Sequence, residues 1–211
     1  MTPDDTSSAT IESLRRFHGH FVSPRRVRVL SALLSPLIPS GASVLDIGCG
    51  DGAIAALIRR TRSDLSITGV DLSLRPGCEI DAVVYDGKRL PFPDASRDIC
   101  LFVDVLHHAT DMANLLQDAC RVARRGVLVK DHLCHTRADR AILTAMDWFG
   151  NSTYGFDFPR HYLAADGWRR LFASCGVTAT ARHDHLRLYP FPFSLVFGRN
   201  LHFIAMLESQ A

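Results

Sequence analysis

The residues of this chain best suited to chemistry begin in Ser43-Val-Leu-Asp-Ile-Gly-Cys-Gly-Asp-Gly52, where an apolar run meets an acid and then glycines at alternate positions. Gly48, Gly50 and Gly52 remove Cβ atoms where the backbone must turn sharply and where a ligand must approach the main chain. The apolar run 53–58 follows at once, so the loop feeds a helix whose first N–H groups face the ligand. The spacing is G-x-G-x-G, which matches neither the dinucleotide pattern G-x-G-x-x-G nor the phosphate loop G-x-x-x-x-G-K-[ST]. Asp46 and Asp51 flank the glycines, and carboxylates beside a phosphate would repel it. A ligand with an ammonium or sulfonium group and no phosphate fits better.

Two further acids extend this site. Residues 65–71 read as a strand ending in Asp71, roughly 20 residues past the glycines, where a βαβ unit places a ribose-binding carboxylate. Residues 80–85 read as another strand, stopping at Asp86-Gly87 ahead of Leu90-Pro-Phe-Pro-Asp94. With these motifs the sequence resembles the class I S-adenosylmethionine-dependent methyltransferases, whose first motif V-L-D-x-G-C-G-x-G is matched letter for letter over residues 44–52. The resemblance implies S-adenosyl-L-methionine as cofactor, held by Asp46, Gly48 and Gly50. It further implies Asp71 on both ribose hydroxyls, Leu72 beside the adenine, Asp86 with Gly87 at the adenine amino group, and Asp104 in the same cofactor-binding set. L-P-F-x-D and D-V-L-H-H resemble the branch of the family that methylates lipids, quinones and polyketides. That implies a small apolar or aromatic acceptor, methylated at oxygen or carbon.

Catalytic candidates gather downstream. Residues 98–103 form a near-continuous apolar run, the pattern of a strand buried on both faces of a parallel sheet, and it ends at Asp104 with His107 and His108 on the rim. Residues 126–131 read as the fifth strand, again with a polar end at Lys130, Asp131 and His132. Open parallel sheets bind ligands at the carboxyl ends of their strands. Methyl transfer from a sulfonium is an in-line displacement that needs positioning and, for a hydroxyl acceptor, a general base. His132 beside Asp131 is the first choice for that base, with His107 and His108 as alternates; each serves equally well as a histidine hydrogen-bonded into the structure. Asp104 and Asp131 also stand where catechol-type enzymes hold magnesium. Those enzymes follow the second acid with an amide, whereas here His132 follows it, and imidazole is a poor ligand for so hard an ion; catalysis without a metal is expected.

Two other readings compete. A nicotinamide-dependent oxidoreductase is disfavoured by the glycine spacing and the acid before the loop. A non-catalytic binding protein on the same fold is consistent with the intact cofactor set, which bears on binding but not on turnover.

The elements that must position these residues follow from composition and periodicity. A chain of 211 residues with 47% hydrophobic content suits one α/β domain and is short for two. The expected fold is a Rossmann-like, doubly wound α/β sheet of about seven strands, mostly parallel; the resemblance implies an antiparallel last strand. The expected organisation is an N-terminal helical extension over 1–40, with helices near 10–22 and 24–38 that could cover the site, and the methyltransferase domain over 41–211. Of 24 basic residues all but Lys88 and Lys130 are arginine, in runs too short to indicate nucleic acid. The six cysteines lack any C-x-x-C pair, the first eight residues have no apolar signal core, and no stretch reaches a membrane span of roughly 20 residues. A cytoplasmic protein is expected. Trp148, Phe149, Tyr154, Phe156, Phe158, Tyr189, Phe191 and Phe193 fall in irregular stretches, where they could line an acceptor pocket.

Overall fold

The computed structural model of the protein describes residues 23–151, 159–189, 191 and 193–209. The strands are β1 (Ser43–Ile47), β2 (Ser66–Asp71), β3 (Ala82–Val84), β4 (Arg97–Val103), β5 (Ala123–His132), β6 (Val177–His183) and β7 (His202–Ser209). They form one sheet in the order β3-β2-β1-β4-β5-β7-β6. The pairs β1–β2, β2–β3, β1–β4 and β4–β5 are parallel, whereas β7 runs antiparallel to both β5 and β6. The chain winds outward from β1 on one side to β3 and, after β3, restarts on the other side at β4. The crevice beyond the ends of β1 and β4 is therefore the switch point at which such sheets take ligands.

Alternation along the central strands divides the core. Val44, Ile99, Leu101, Leu128, Ile204 and Met206 pack on one face against Leu30 and Leu34 of α1 (Ser23–Leu34) and Ala55, Ala56 and Ile58 of α2 (Ala53–Thr61). Leu45, Ile47, Cys100, Phe102, Val127, Val129 and Phe203 pack on the other against α3 (Met112–Val122) and α5 (Ala165–Ser174). Both faces are covered, which is why these strands read as nearly unbroken apolar runs. Pro24 stands in the first turn of α1, where its missing N–H costs nothing. Asp111 caps α3 by accepting from the Asn114 N–H at 3.0 Å.

The remaining helices are α4 (Arg137–Asn151) and the single turn α6 (Ser194–Phe197). The edge strand β3 spans only Ala82–Val84, shorter than the apolar run 80–85, because it has one neighbour and Val83 and Val84 are exposed. β5 instead starts three residues earlier than its apolar run, at Ala123 opposite Arg97. The helix expected near 10–22 lies outside the described residues.

Candidate active site

The glycine loop leaves β1 through a turn that only small residues tolerate. Gly48 has φ +70°, its N–H donates to the Val70 carbonyl at 2.7 Å, and a Cβ there would sit 2.6 Å from Val105 Cγ2. Gly50 has φ +59°, and its N–H donates to Asp71 Oδ2 at 2.8 Å. Asp71, at the end of β2, thereby braces the loop from the neighbouring strand. Its other oxygen is 3.4 Å from the Ser73 N–H. Asp46 is buried at the floor of the crevice, where burial and the nearby carboxylates of Asp71 and Asp51 push its carboxyl up to about 7. That is a site where a cation would be welcome.

Leu72 follows Asp71 and stays 46% exposed, with its Cδ2 3.0 Å from where a Cβ on Gly87 would stand. Asp86 is exposed and accepts from the Lys88 N–H at 3.0 Å, which helps hold its carboxyl below the usual range. The exposed leucine thus packs on the bare glycine, next to an acid. These features fit a nucleoside with an attached cation, and the row of carboxylates does not fit a pyrophosphate.

The second cluster begins at Asp104, which ends β4 with φ +59°, a left-handed conformation uncommon outside glycine. This turn directs its carboxylate to the Lys130 ammonium of β5 and to Arg26 of α1, the latter at 2.5 Å. Burial alone would raise the Asp104 carboxyl, but Lys130, His132 and Arg26 hold it well below the usual range. Burial pushes Lys130 the other way, toward the neutral amine, and Asp104 opposes that shift. With two cations facing one carboxylate, we treat the Asp104–Lys130 pair as charged.

Asp131 turns away from His132, as successive residues on a strand must. It faces His107 instead, with Oδ1 2.7 Å from Nδ1, and accepts from the backbone N–H of His132 at 2.7 Å. Burial would lower the His107 imidazole, but Asp131 and Asp147 together raise it to about 10. Asp131 therefore pairs with His107, one of the alternate histidines, and not with its sequence neighbour His132. His108 sits beside His107 in the 3-10 turn Leu106–His108, its Nδ1 3.0 Å from the Pro159 carbonyl. Asp104 thus faces two cations and Asp131 faces His107.

His132 Nδ1 lies 3.1 Å from His202 Nδ1, which is itself 3.3 Å from Lys130 Nζ. An ammonium can only donate, so His202 Nδ1 accepts and His132 Nδ1 carries the hydrogen. His132 Nε2 lies 3.5 Å from Asp104 Oδ1 and 3.7 Å from Asp147 Oδ1. Burial, Lys130 and His132 hold the His202 imidazole well below its ordinary range. The Trp168 indole on α5 donates to the His132 carbonyl at 2.8 Å and fixes the end of β5.

Asp147, Tyr162, His202 and Arg26 belong to this cluster but were not among the residues the sequence singled out. Asp147 had a legible signal. Asp139, Leu143 and Asp147 recur every fourth residue and all are buried, so acids share the inward face of α4 with a leucine. Among the aromatics, Phe191 is 79% and Trp148 43% exposed, and Tyr189 packs 5.4 Å from Phe197 and 5.9 Å from the His202 ring. Tyr154, Phe156 and Phe158, and the Phe149 side chain, lie outside the described residues. Beside His202 a cleft of about 200 Å³ opens, lined by the polar Asp184, His185, Arg187 and Arg199 as well as by Leu186, Leu188 and Phe197.

Comparison with known proteins agrees with this geometry. A family model described as a methyltransferase domain matches residues 45–129, from β1 to the middle of β5. These matches support a class I S-adenosylmethionine-dependent methyltransferase. It is 33% identical over 112 residues to the 27-O-demethylrifamycin SV methyltransferase of Amycolatopsis mediterranei (strain S699), an alignment covering 46% of this chain and 41% of that protein. It is 33% identical over 171 residues to an uncharacterized methyltransferase of Mycobacterium sp. (strain KMS), covering 74% and 61%. The chain therefore spans less than two thirds of the length of these curated relatives. Protein PH0226 of Pyrococcus horikoshii OT3 shares the fold at 16% identity, with a TM-score of 0.65 over 92% of this chain and 99% of that one. Among the described residues no helix is long and apolar enough to cross a membrane.

Proposed function

We propose that this methyltransferase transfers a methyl group from S-adenosyl-L-methionine to an oxygen or carbon of a small apolar or aromatic acceptor of lipid, quinone or polyketide type. The observation that carries the reading is the meeting of two clusters at one rim: the carboxylates of Asp46, Asp71 and Asp86 around the glycine loop, and the His132 imidazole with Asp104 at the adjacent strand ends. The cofactor supplies an electrophilic methyl group on a sulfonium, together with a ribose, an adenine and an ammonium. Asp46 faces the cationic part from the crevice floor. Asp71 binds the ribose hydroxyls while bracing Gly50, Leu72 and Gly87 flank the adenine, and Asp86 accepts from its amino group.

On the acceptor side, His132 Nε2 takes the proton of a hydroxyl acceptor, and the carboxylates of Asp104 and Asp147 face the proton taken up there. Lys130 and Arg26 keep Asp104 in place, and burial of the whole cluster keeps water from the reacting atoms. The name of the rifamycin-type relative supports a small-molecule hydroxyl acceptor for this chain.

The test is methyl transfer from labelled cofactor to a panel of phenols, quinols and long-chain alcohols. His132→Ala should lower kcat by about 10²–10⁴, the usual share of a general base, with cofactor affinity unchanged. Full turnover in His132→Ala would remove the base, and cofactor binding without transfer to any acceptor would favour the non-catalytic reading.

A further inference from the structure

We infer that the cleft beside His202 is a binding site for a carboxylate carried on a small apolar or aromatic body. It lies on the β6 side of the sheet, between the segment 184–188 that follows β6 and the segment 197–200 that leads into β7. Its volume of about 200 Å³ falls below the range of about 300–1,000 Å³ usual for drug-sized ligands, so the occupant is small.

His202 supplies the hydrogen-bond donor. By strand alternation its side chain shares a face with Ile204 and Met206, and Leu186, Leu188 and Tyr189 pack on that face. The Nδ1 edge of the ring turns toward β5, 3.3 Å from Lys130 Nζ and 3.1 Å from His132 Nδ1. The opposite edge, with Nε2, therefore turns toward β6, where the cleft is. Because Nδ1 accepts from the ammonium, the ring must carry its hydrogen on Nε2. His202 is 4% exposed, and its Nε2 has no hydrogen-bond partner among the described residues. An unpaired buried donor is costly, and an acceptor oxygen in the cleft would satisfy it. The same tautomer turns away an ammonium, which has no lone pair to offer.

The charges around the cleft agree with an anion. Asp184 is held by Arg182 Nε at 2.8 Å, and Arg199 has Asp139 only at 3.8 Å. Arg187 has no carboxylate partner among the described residues, so the cleft carries surplus positive charge. Arg187 also stands at φ +46°, a left-handed backbone that strains any residue but glycine, and Arg25 steadies it by donating to its carbonyl at 3.3 Å. Leu186 and Leu188 on either side are buried while Arg187 is exposed, so the two leucines and Phe197 form apolar wall beneath a cationic rim. A bare inorganic anion would leave that wall uncovered.

His202 separates the cleft from His132 by a single imidazole. If the methyl-transfer reading holds, the carboxylate is a remote group of the acceptor, and seating it orients the acceptor hydroxyl toward His132. That assignment rests on the methyl-transfer reading, whereas occupancy of the cleft does not.

The test titrates the full chain with benzoate, benzylamine and inorganic phosphate by calorimetry, with no methyl donor present. One equivalent of benzoate should bind with a Kd of about 1 mM or tighter, benzylamine should not bind, and phosphate should bind at least about tenfold more weakly. His202→Phe, which keeps a ring and removes the N–H, should weaken benzoate by at least about tenfold, and Arg187→Gln by about fivefold. Benzoate should also move the ¹⁵N resonance of His202 Nε2, assigned by its loss in His202→Phe. Thermal melts show that each variant is folded, and Arg187→Gln, at an exposed position, remains decisive if His202→Phe is not. No benzoate binding, phosphate or benzylamine binding as tightly as benzoate, or benzoate affinity unchanged in Arg187→Gln overturns the site. Titration of the same samples with S-adenosylmethionine separates this site from the methyl-transfer reading, since either can fail alone.

Discussion

At the residue level the glycine loop is positioned by its own backbone, whereas the buried histidines are positioned by groups distant in sequence. Gly48 and Gly50 act through the conformation of their own loop, which their spacing in the sequence already marks as a turn. Asp71 reaches Gly50 from the next strand, but βαβ geometry fixes that distance in advance. His107 is different. What it does depends on Asp131, on a strand of its own, and on Asp147, on a helix further along, and no local pattern announces either contact. Asp46 makes a prediction with a sign. Its carboxyl is raised from 3.8 to about 7, so between those values the empty folded protein holds a proton that the unfolded chain has lost. Stability of the empty protein should therefore fall as pH rises through that window. A cationic ligand favours the carboxylate and expels the proton, so cofactor affinity should rise by about tenfold between about pH 6 and about pH 8 and then level off. Calorimetry at several pH values checks this, and the slope should vanish in Asp46→Asn. Equal affinity across the range would mean that Asp46 does not face the cationic part of the ligand.

At the level of elements, the central strands and amphipathic helices were readable because burial on both faces leaves unbroken apolar runs, and one-sided burial leaves a stripe. The ends of elements were less so. β3 stops short because an edge strand lacks a second partner, and β5 starts early because β4 offers it pairing before its apolar run begins. Helix α1 shows how an element serves the site from outside it. Leu30 and Leu34 seat the helix on the sheet, and Arg26 then reaches Asp104. The turn after β1 is the element most exposed to a single change. Gly48→Ala would place a Cβ 2.6 Å from Val105 Cγ2 in a backbone of φ +70°. The left-handed backbone alone costs about 1–2 kcal/mol, and the clash must also move Val105 or the loop. The variant should melt at a lower temperature and bind cofactor more weakly. An unchanged melting temperature would show that the loop can relax without the glycine.

At the level of the whole molecule, the seven-stranded sheet does one thing for function: it brings separate strand ends to a common rim. β1 contributes the glycine loop, β2 Asp71, β4 Asp104, β5 Lys130 to His132, and antiparallel β7 His202, which pairs directly opposite His132. The sheet class could be read from the order of apolar runs and the first motif, but the bottom-up reading could not have set β7 between β5 and β6. That placement decides which histidine supports His132. Fold alone does not establish an activity, so the account stands on the cofactor. Its most direct test is calorimetric titration of the protein with S-adenosylmethionine and, separately, with a nicotinamide dinucleotide, repeated on Asp71→Ala. One equivalent of S-adenosylmethionine should bind and the dinucleotide should not, with a loss of about 1–3 kcal/mol in Asp71→Ala, where the Gly50 N–H and the ribose hydroxyls lose their acceptor. Undiminished affinity in Asp71→Ala, or preference for the dinucleotide, would contradict it.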